Sequence, residues 1–250
     1  MKKISLLIFI LLLSASSIMA KINLTEFEKK LSHKITAGFN IGATAPRSMP
    51  NTIRKISYYS PRFSPSLGYF AMYPLHEKWI LTAGLQIDFK GMKVTDSVAY
   101  FHTLLQSSNG QSGFEGSFTG TNTTLVNNVY LTIPIYATYR LTSHWSLEAG
   151  GYIAYLLSPK FEGHVSDGYI RNGGDLGEKV IIDHAEFDFS DKLRRMDYGL
   201  HGGIAYQLGA RWSAALQMNW GLCRIFPSSF SGVDIPLYNL YGKLGLGYDL

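Results

Sequence analysis

The chain has 250 residues, with 23 Lys plus Arg against 18 Asp plus Glu, and one cysteine. So small an excess of positive charge gives no argument for a nucleic-acid partner, and a lone Cys223 excludes an internal disulfide and a Cys-based zinc site. With 16 Tyr, 14 Phe and 25 Gly, the composition suits strands and turns better than helices.

The first twenty residues read as a secretory signal peptide. Lys2 and Lys3 form a positive start, Ile4 to Leu13 an apolar run, and Ser14 to Ala20 a small-residue stretch before cleavage. The apolar run is too short to cross a bilayer as a helix. Its removal leaves 21 basic and 18 acidic residues. Residues 21–33 (KINLTEFEKKLSH) place Leu24, Phe27 and Leu31 at helical spacing. They are expected to form a short periplasmic lead-in, with a small plug helix as the alternative.

From Lys34 the period becomes two. Ile35, Ala37, Phe39 and Ile41 alternate with Thr36, Gly38, Asn40 and Gly42. Seven further segments follow the same rule: Phe63–Tyr73, Trp79–Phe89, Val129–Leu141, Trp145–Leu157, Tyr198–Leu208, Trp212–Leu222 and Tyr238–Tyr248. Each is about the nine to eleven residues that a tilted membrane strand needs. Pro65 and Pro134 each remove a ladder donor, so a bulge or a lumenal water is expected beside them.

One motif punctuates these segments. YPLHEKW begins at Tyr73, YRLTSHW at Tyr139 and YQLGARW at Tyr206, with starts 66 and 67 residues apart. Each is Tyr-x-Leu, three turn residues, then Trp, and in each the Tyr, Leu and Trp share the apolar parity. Tyr73, Trp79, Tyr139, Trp145, Tyr206 and Trp212 are therefore expected to form an interfacial aromatic girdle. The other connections, roughly 45–62, 91–124, 158–196 and 224–235, are long, and the Gly-, Ser-, Thr- and Asn-rich part of the second is expected to be mobile or to extend the strands. Short turns on one side and long loops on the other predict an all-β fold, a closed antiparallel up-and-down transmembrane β-barrel of about eight strands. Residues 34–250 form the barrel domain, with both termini periplasmic and the chain in the outer membrane of a Gram-negative cell. Closure is required because hydrocarbon leaves no partner for an open edge.

The inward parity carries Asp88, Lys90, Arg140, Glu148, Asp197, Lys243, Asp249 and His201. Mixed signs in a narrow lumen are expected to pair, Glu148 with Lys243 being a candidate. Glycines on that face make room for Tyr130, Tyr136, Tyr152 and Tyr241.

VYLTIPIYATYRL, LRRMDYGLHGGIAYQL and YGKLGLGYDL together resemble strands of PorT-like, porin-family outer-membrane β-barrel proteins. The resemblance spans most of residues 34–250 and implies architecture and place; one branch of such families is linked to protein secretion. The final segment carries its aromatic at Tyr248, two places before the end.

No Gly-x-Ser-x-Gly elbow, P-loop or His-Glu-x-x-His stands in the sequence. His102, His164 and His184 fall in long connections with Ser158, Ser166 and Ser190, at spacings that single out no pair. Asp183, Glu186, Asp188 and Asp191 could hold a divalent cation, pair with Arg194 and Arg195, or contact lipopolysaccharide phosphates through bridging cations; the plainer reading is a strand extended above the membrane with a salt-laced face. The reading that follows is a non-enzymatic structural or interaction barrel without cofactor or metal. Its expected partners are outer-membrane lipid and lipopolysaccharide, and a protein at the surface loops or periplasmic turns. A narrow porin and a lipid-modifying enzyme are the alternatives.

Overall fold

The computed structural model describes residues 28–105, 114–172 and 176–250. The expected signal peptide, and the lead-in up to residue 27, lie outside them. Residues 28–30 are helical, and the first strand begins at Ser32, two residues earlier than the change of period suggests.

Eleven strands follow: β1 (Ser32–Pro46), β2 (Ile53–Pro61), β3 (Pro65–Pro74), β4 (Trp79–Leu105), β5 (Phe114–Arg140), β6 (Trp145–Ser158), β7 (Phe161–Asn172), β8 (Glu178–Asp188), β9 (Met196–Gln207), β10 (Trp212–Gly221) and β11 (Leu237–Asp249). Eight of them close a ring, β1-β3-β4-β5-β6-β9-β10-β11 and back to β1, with every pairing antiparallel. These are the eight segments of alternating pattern. Outside the ring they present a continuous apolar belt: Leu67, Leu216 and Leu244 are 61%, 59% and 62% exposed. Such a surface is stable only against hydrocarbon.

The three short turns share one geometry. In each, the two residues after the strand donate their backbone N–H groups to the Trp carbonyl: Leu75 and His76 to Trp79, Leu141 and Thr142 to Trp145, Leu208 and Gly209 to Trp212. The register then sets each Trp against a Tyr of the neighbouring strand. Trp79 faces Tyr139 with ring centroids 4.8 Å apart, Trp145 faces Tyr206 at 4.7 Å, and Trp212 faces Tyr248 at 5.0 Å.

Three of the four long connections are not loops. β2 lies in residues 45–62 and pairs with the upper part of β4. The upper part of β5, from Phe114, occupies most of the stretch before Thr124, and β7 and β8 fill residues 158–196 as a hairpin against it. Together β2, β4, β5, β7 and β8 form a five-stranded sheet standing on the barrel. β4 and β5 are 27 residues each, whereas a span needs about ten, so more than half of each stands clear of the belt. The sequence places a strand in the acidic stretch, where β8 lies, and allows one in the second connection, but it delimits none of them, because bulges break the alternation. Register shifts fall between Val98 and Phe101 and between Thr119 and Thr121. Tyr100 and Asp167, at these bends, hold positive φ angles of 56° and 52°. The bend carries the tip inward until Thr103 bridges Val233 of the fourth connection, which is irregular as expected.

Neither proline introduces a bulge. Pro65 opens β3 at the end of its ladder with β1, where Phe39 is its partner. Opposite Pro134 the β4–β5 ladder lapses at Gly84 and Leu85, then resumes with Gln86 against Thr132 in unchanged register. The missing donor interrupts the pairing without shifting it.

Candidate functional site

Inward side chains fill the ring. Near its outer end Lys90 is 1% exposed, with its ammonium 3.5 Å from Asp197 Oδ2. That carboxylate also accepts from Tyr152 Oη at 3.2 Å and from Asn239 Nδ2 at 3.0 Å. Asn239 donates in addition to Tyr130 Oη and accepts from Thr44 Oγ1. The rings of Tyr130, Tyr152 and Tyr241 surround Lys90, their centroids 4.7, 5.2 and 5.8 Å from Nζ. A buried cation thus has one carboxylate and three aromatic faces, replacing part of its lost hydration.

A second group lies toward the middle. Asp88 accepts from Asn40 Nδ2 at 3.1 Å and from Gln86 Nε2 at 2.6 Å, while Gln86 Oε1 takes a 2.6 Å bond from Lys243 Nζ. A third lies nearer the short turns. Glu148 accepts from Gln217 at 2.6 Å and stands 3.6 Å from His201 Nε2. His201 Nδ1 donates to Asn219 Oδ1, and its ring stacks on Tyr136 at 4.6 Å. The Phe70 ring crosses this layer over Gly68 and Gly84, where an added Cβ would strike it.

Six of the eight charged or imidazole positions expected on the inward face are therefore gathered in the lumen; Asp249 lies at the short-turn rim, 3.4 Å from Lys34 Nζ. Arg140 is not among them. It has inward parity but is the last residue of β5, exposed at the short-turn rim, so water solvates its guanidinium. Glu148 and Lys243, expected as partners, are bonded instead to the amides of Gln217 and Gln86. The bridging amides Asn40, Gln86, Gln217, Asn219 and Asn239 were not anticipated. All lie on the inward parity, so the alternation that marked Asp88 could have marked them.

Above Lys90 the interior changes character. Met92, Val98, Phe118, Val126 and Leu156 are buried there. Over them Phe161, Phe187, Phe189, Phe226 and Phe230 form a cluster, with ring centroids 4.8 Å apart for Phe226–Phe230 and 5.1 Å for Phe189–Phe230. Phe187 and Phe189 come from the acidic stretch DHAEFDFSD, whose carboxylates are a water-facing row. Among the described residues no cluster of three or more potential metal ligands forms. Asp188 accepts from Ser190 Oγ, Ser166 donates to Asp167, and His102 lies 3.4 Å from Glu115. The His164 and His184 rings are 5.0 Å apart. Partial burial, then the neighbouring His184, holds His164 below its ordinary value.

A family model described as outer membrane protein beta-barrel domain matches residues 20–227. Among solved structures, the attachment invasion locus protein Ail of Yersinia pestis, in complex with the heparin analogue sucrose octasulfate, aligns at 10% identity over 88% of this chain and 99% of its own, with a TM-score of 0.36. An outer membrane channel from Pseudomonas putida F1 aligns at 10% identity over 88% and 95%, TM-score 0.30. The toluene transporter TbuX of Ralstonia pickettii aligns at 8% identity over 87% and 89%, TM-score 0.21. No match to the chain was found among curated proteins. Likenesses this distant carry no argument about activity.

Proposed function

The chain belongs to the outer membrane protein β-barrel domain family, and from that premise we propose that it is a non-conducting, non-catalytic surface barrel that works through the sheet it raises above the membrane. The observation that carries this reading is the occlusion of the lumen. Lys90, Tyr130 and Tyr241 are 1%, 2% and 1% exposed and meet across its width. An ion would have to displace a paired ammonium and its aromatic surround. The raised sheet supports an interaction role because it is built, with its own core and an outer face that exposes Ile56, Tyr58, Tyr100 and Ile181 among polar residues, rather than left as loops.

The signal peptide of residues 1–20 and the lead-in of 21–33 belong to this proposal, as does the girdle of Tyr73, Trp79, Tyr139, Trp145, Tyr206 and Trp212 at the periplasmic interface. Lipopolysaccharide is the proposed lipid partner. Arg47, Arg62, Arg194, Arg195 and Arg224 are exposed near the outer ends of β1, β3, β9 and β10, directly above the apolar belt, where they suit phosphate groups. PorT-like membership remains the finer reading, carried by the strand motifs alone.

Planar-bilayer recording of the refolded chain tests the proposal. No stable conductance step is expected. Large, long-lived steps would refute it in favour of a narrow porin.

A further inference from the structure

Above the Lys90 layer lies a cavity of about 230 Å³. Its walls are mainly apolar, with Ile53, Met92, Val94, Phe101, Phe187 and Phe189 among them. An apolar cavity of about 150 Å³ is large enough to hold benzene and stays dry when empty. This one differs by a polar pair in its wall. Asp96 and Asn122 are 6% and 5% exposed, and Asn122 Nδ2 donates to Asp96 Oδ1 at 2.8 Å and to Thr124 Oγ1 at 3.2 Å. The carboxylate needs a donor, which fixes the amide's orientation. Asn122 Oδ1 is then a buried acceptor with no partner. Such an atom is costly to leave unmade, and a donor from a guest would satisfy it.

The wall also has a seam. β1 pairs with β11 as far as Pro46, but with β3 only as far as Phe39. β2 stands beside the remainder of β1 and pairs only with β4. Tyr59 Oη crosses the gap to the Gly42 carbonyl at 2.7 Å. Tyr59 and Ile56 line the cavity and are nevertheless 42% and 48% exposed. The seam opens just above the apolar belt, where apolar solutes concentrate.

We propose that this chamber binds a small apolar molecule, of fused-ring size and carrying one hydrogen-bond donor, with the donor on Asn122 Oδ1 and passage through the β1–β2 seam. The Asp96 carboxylate, raised by burial above its ordinary value, holds the amide in place. Neither the occluded lumen nor the outer sheet requires a cavity with an unpaired acceptor, so the inference stands apart from the proposal that the barrel does not conduct.

The test is calorimetric titration of the full chain in lipid nanodiscs, with empty nanodiscs subtracted. The probes are indole and benzofuran, which share a skeleton and differ in the N–H donor. Indole is expected to bind about tenfold more tightly, the yield of one added hydrogen bond. Asn122→Leu should remove that advantage and leave benzofuran unchanged. Val94→Trp should abolish both by filling the space, with unboiled gel mobility confirming that each variant remains a barrel. Tyr59→Phe should speed association several-fold; an unchanged rate overturns the seam as the route. Binding of neither probe above empty nanodiscs, or equal binding of both to the unaltered chain, overturns the site.

Discussion

The membrane barrel and the chamber above it are built from the same strands with opposite insides. Along β4 the inward positions run Gln86, Asp88, Lys90 and then Met92, Val94, while along β5 they run Tyr130, Asn128 and then Val126. Register places Lys90 against Asn128 and Met92 against Val126, so both strands change at one level. Parity does not change there; the medium outside does. Against hydrocarbon the apolar side chains go out, and the lumen is left to polar groups that satisfy one another. Against water the hydrophobic effect turns them in. The lower interior is therefore held by specific partners, and the upper by packing.

The largest expected effect tests the lower half. Asp197→Leu strands the Lys90 ammonium among tyrosines and should cost about 3–5 kcal/mol in urea unfolding from liposomes. Adding Lys90→Met should recover most of that loss, because the charge left unpaired is removed with its partner. A double variant as unstable as the single would mean that the layer depends on its shape rather than its pairing.

Phe189→Ala tests the upper half, with an expected cost of roughly 3 kcal/mol from the cavity it leaves. The damage should stay local. Protease should cut the raised sheet while the ring keeps its heat-dependent gel mobility, as expected of two cooperative units. Loss of that mobility would show that the two insides fold as one.

Trp145→Ala removes the Trp145–Tyr206 ring contact at the far end and should cost about 1 kcal/mol, read in the same unfolding assay. The smallest effect is a pH dependence confined to the chamber. Burial raises Asp96 above its unfolded value, so its contribution is fully present below the ordinary carboxylate range. That contribution is lost as pH rises through the raised folded value. Protection of the raised sheet against hydrogen exchange should decline over that interval, and Asp96→Asn should flatten the profile. An unchanged slope in the variant would remove Asp96 as its source.

The aromatic turns show how far local pattern reaches. Tyr73 to Trp79 and its two counterparts could be placed as turns because the geometry they need is complete within seven residues. The Trp–Tyr contacts were less accessible, since Trp212 meets Tyr248 edge-to-face, 36 residues away. β7 and β8 were harder still to delimit, although the acidic stretch reads as an extended strand. Their polar outward residues resemble loop composition, and the inward Val165, Ile170, Ile182 and Phe187 betray them.

The sequence by itself determined the ring: eight segments, their parity, their order and the end at which the turns lie. A strand crossing hydrocarbon must declare its outer face residue by residue, and an antiparallel neighbour joined by a tight turn has no other register to take. Only the tertiary structure decided which polar groups meet inside, where along three long connections the strands run, and that a seam is left between β1 and β2. Those outcomes depend on side chains from distant strands converging across a closed wall, and no periodicity along the chain encodes a distance across it.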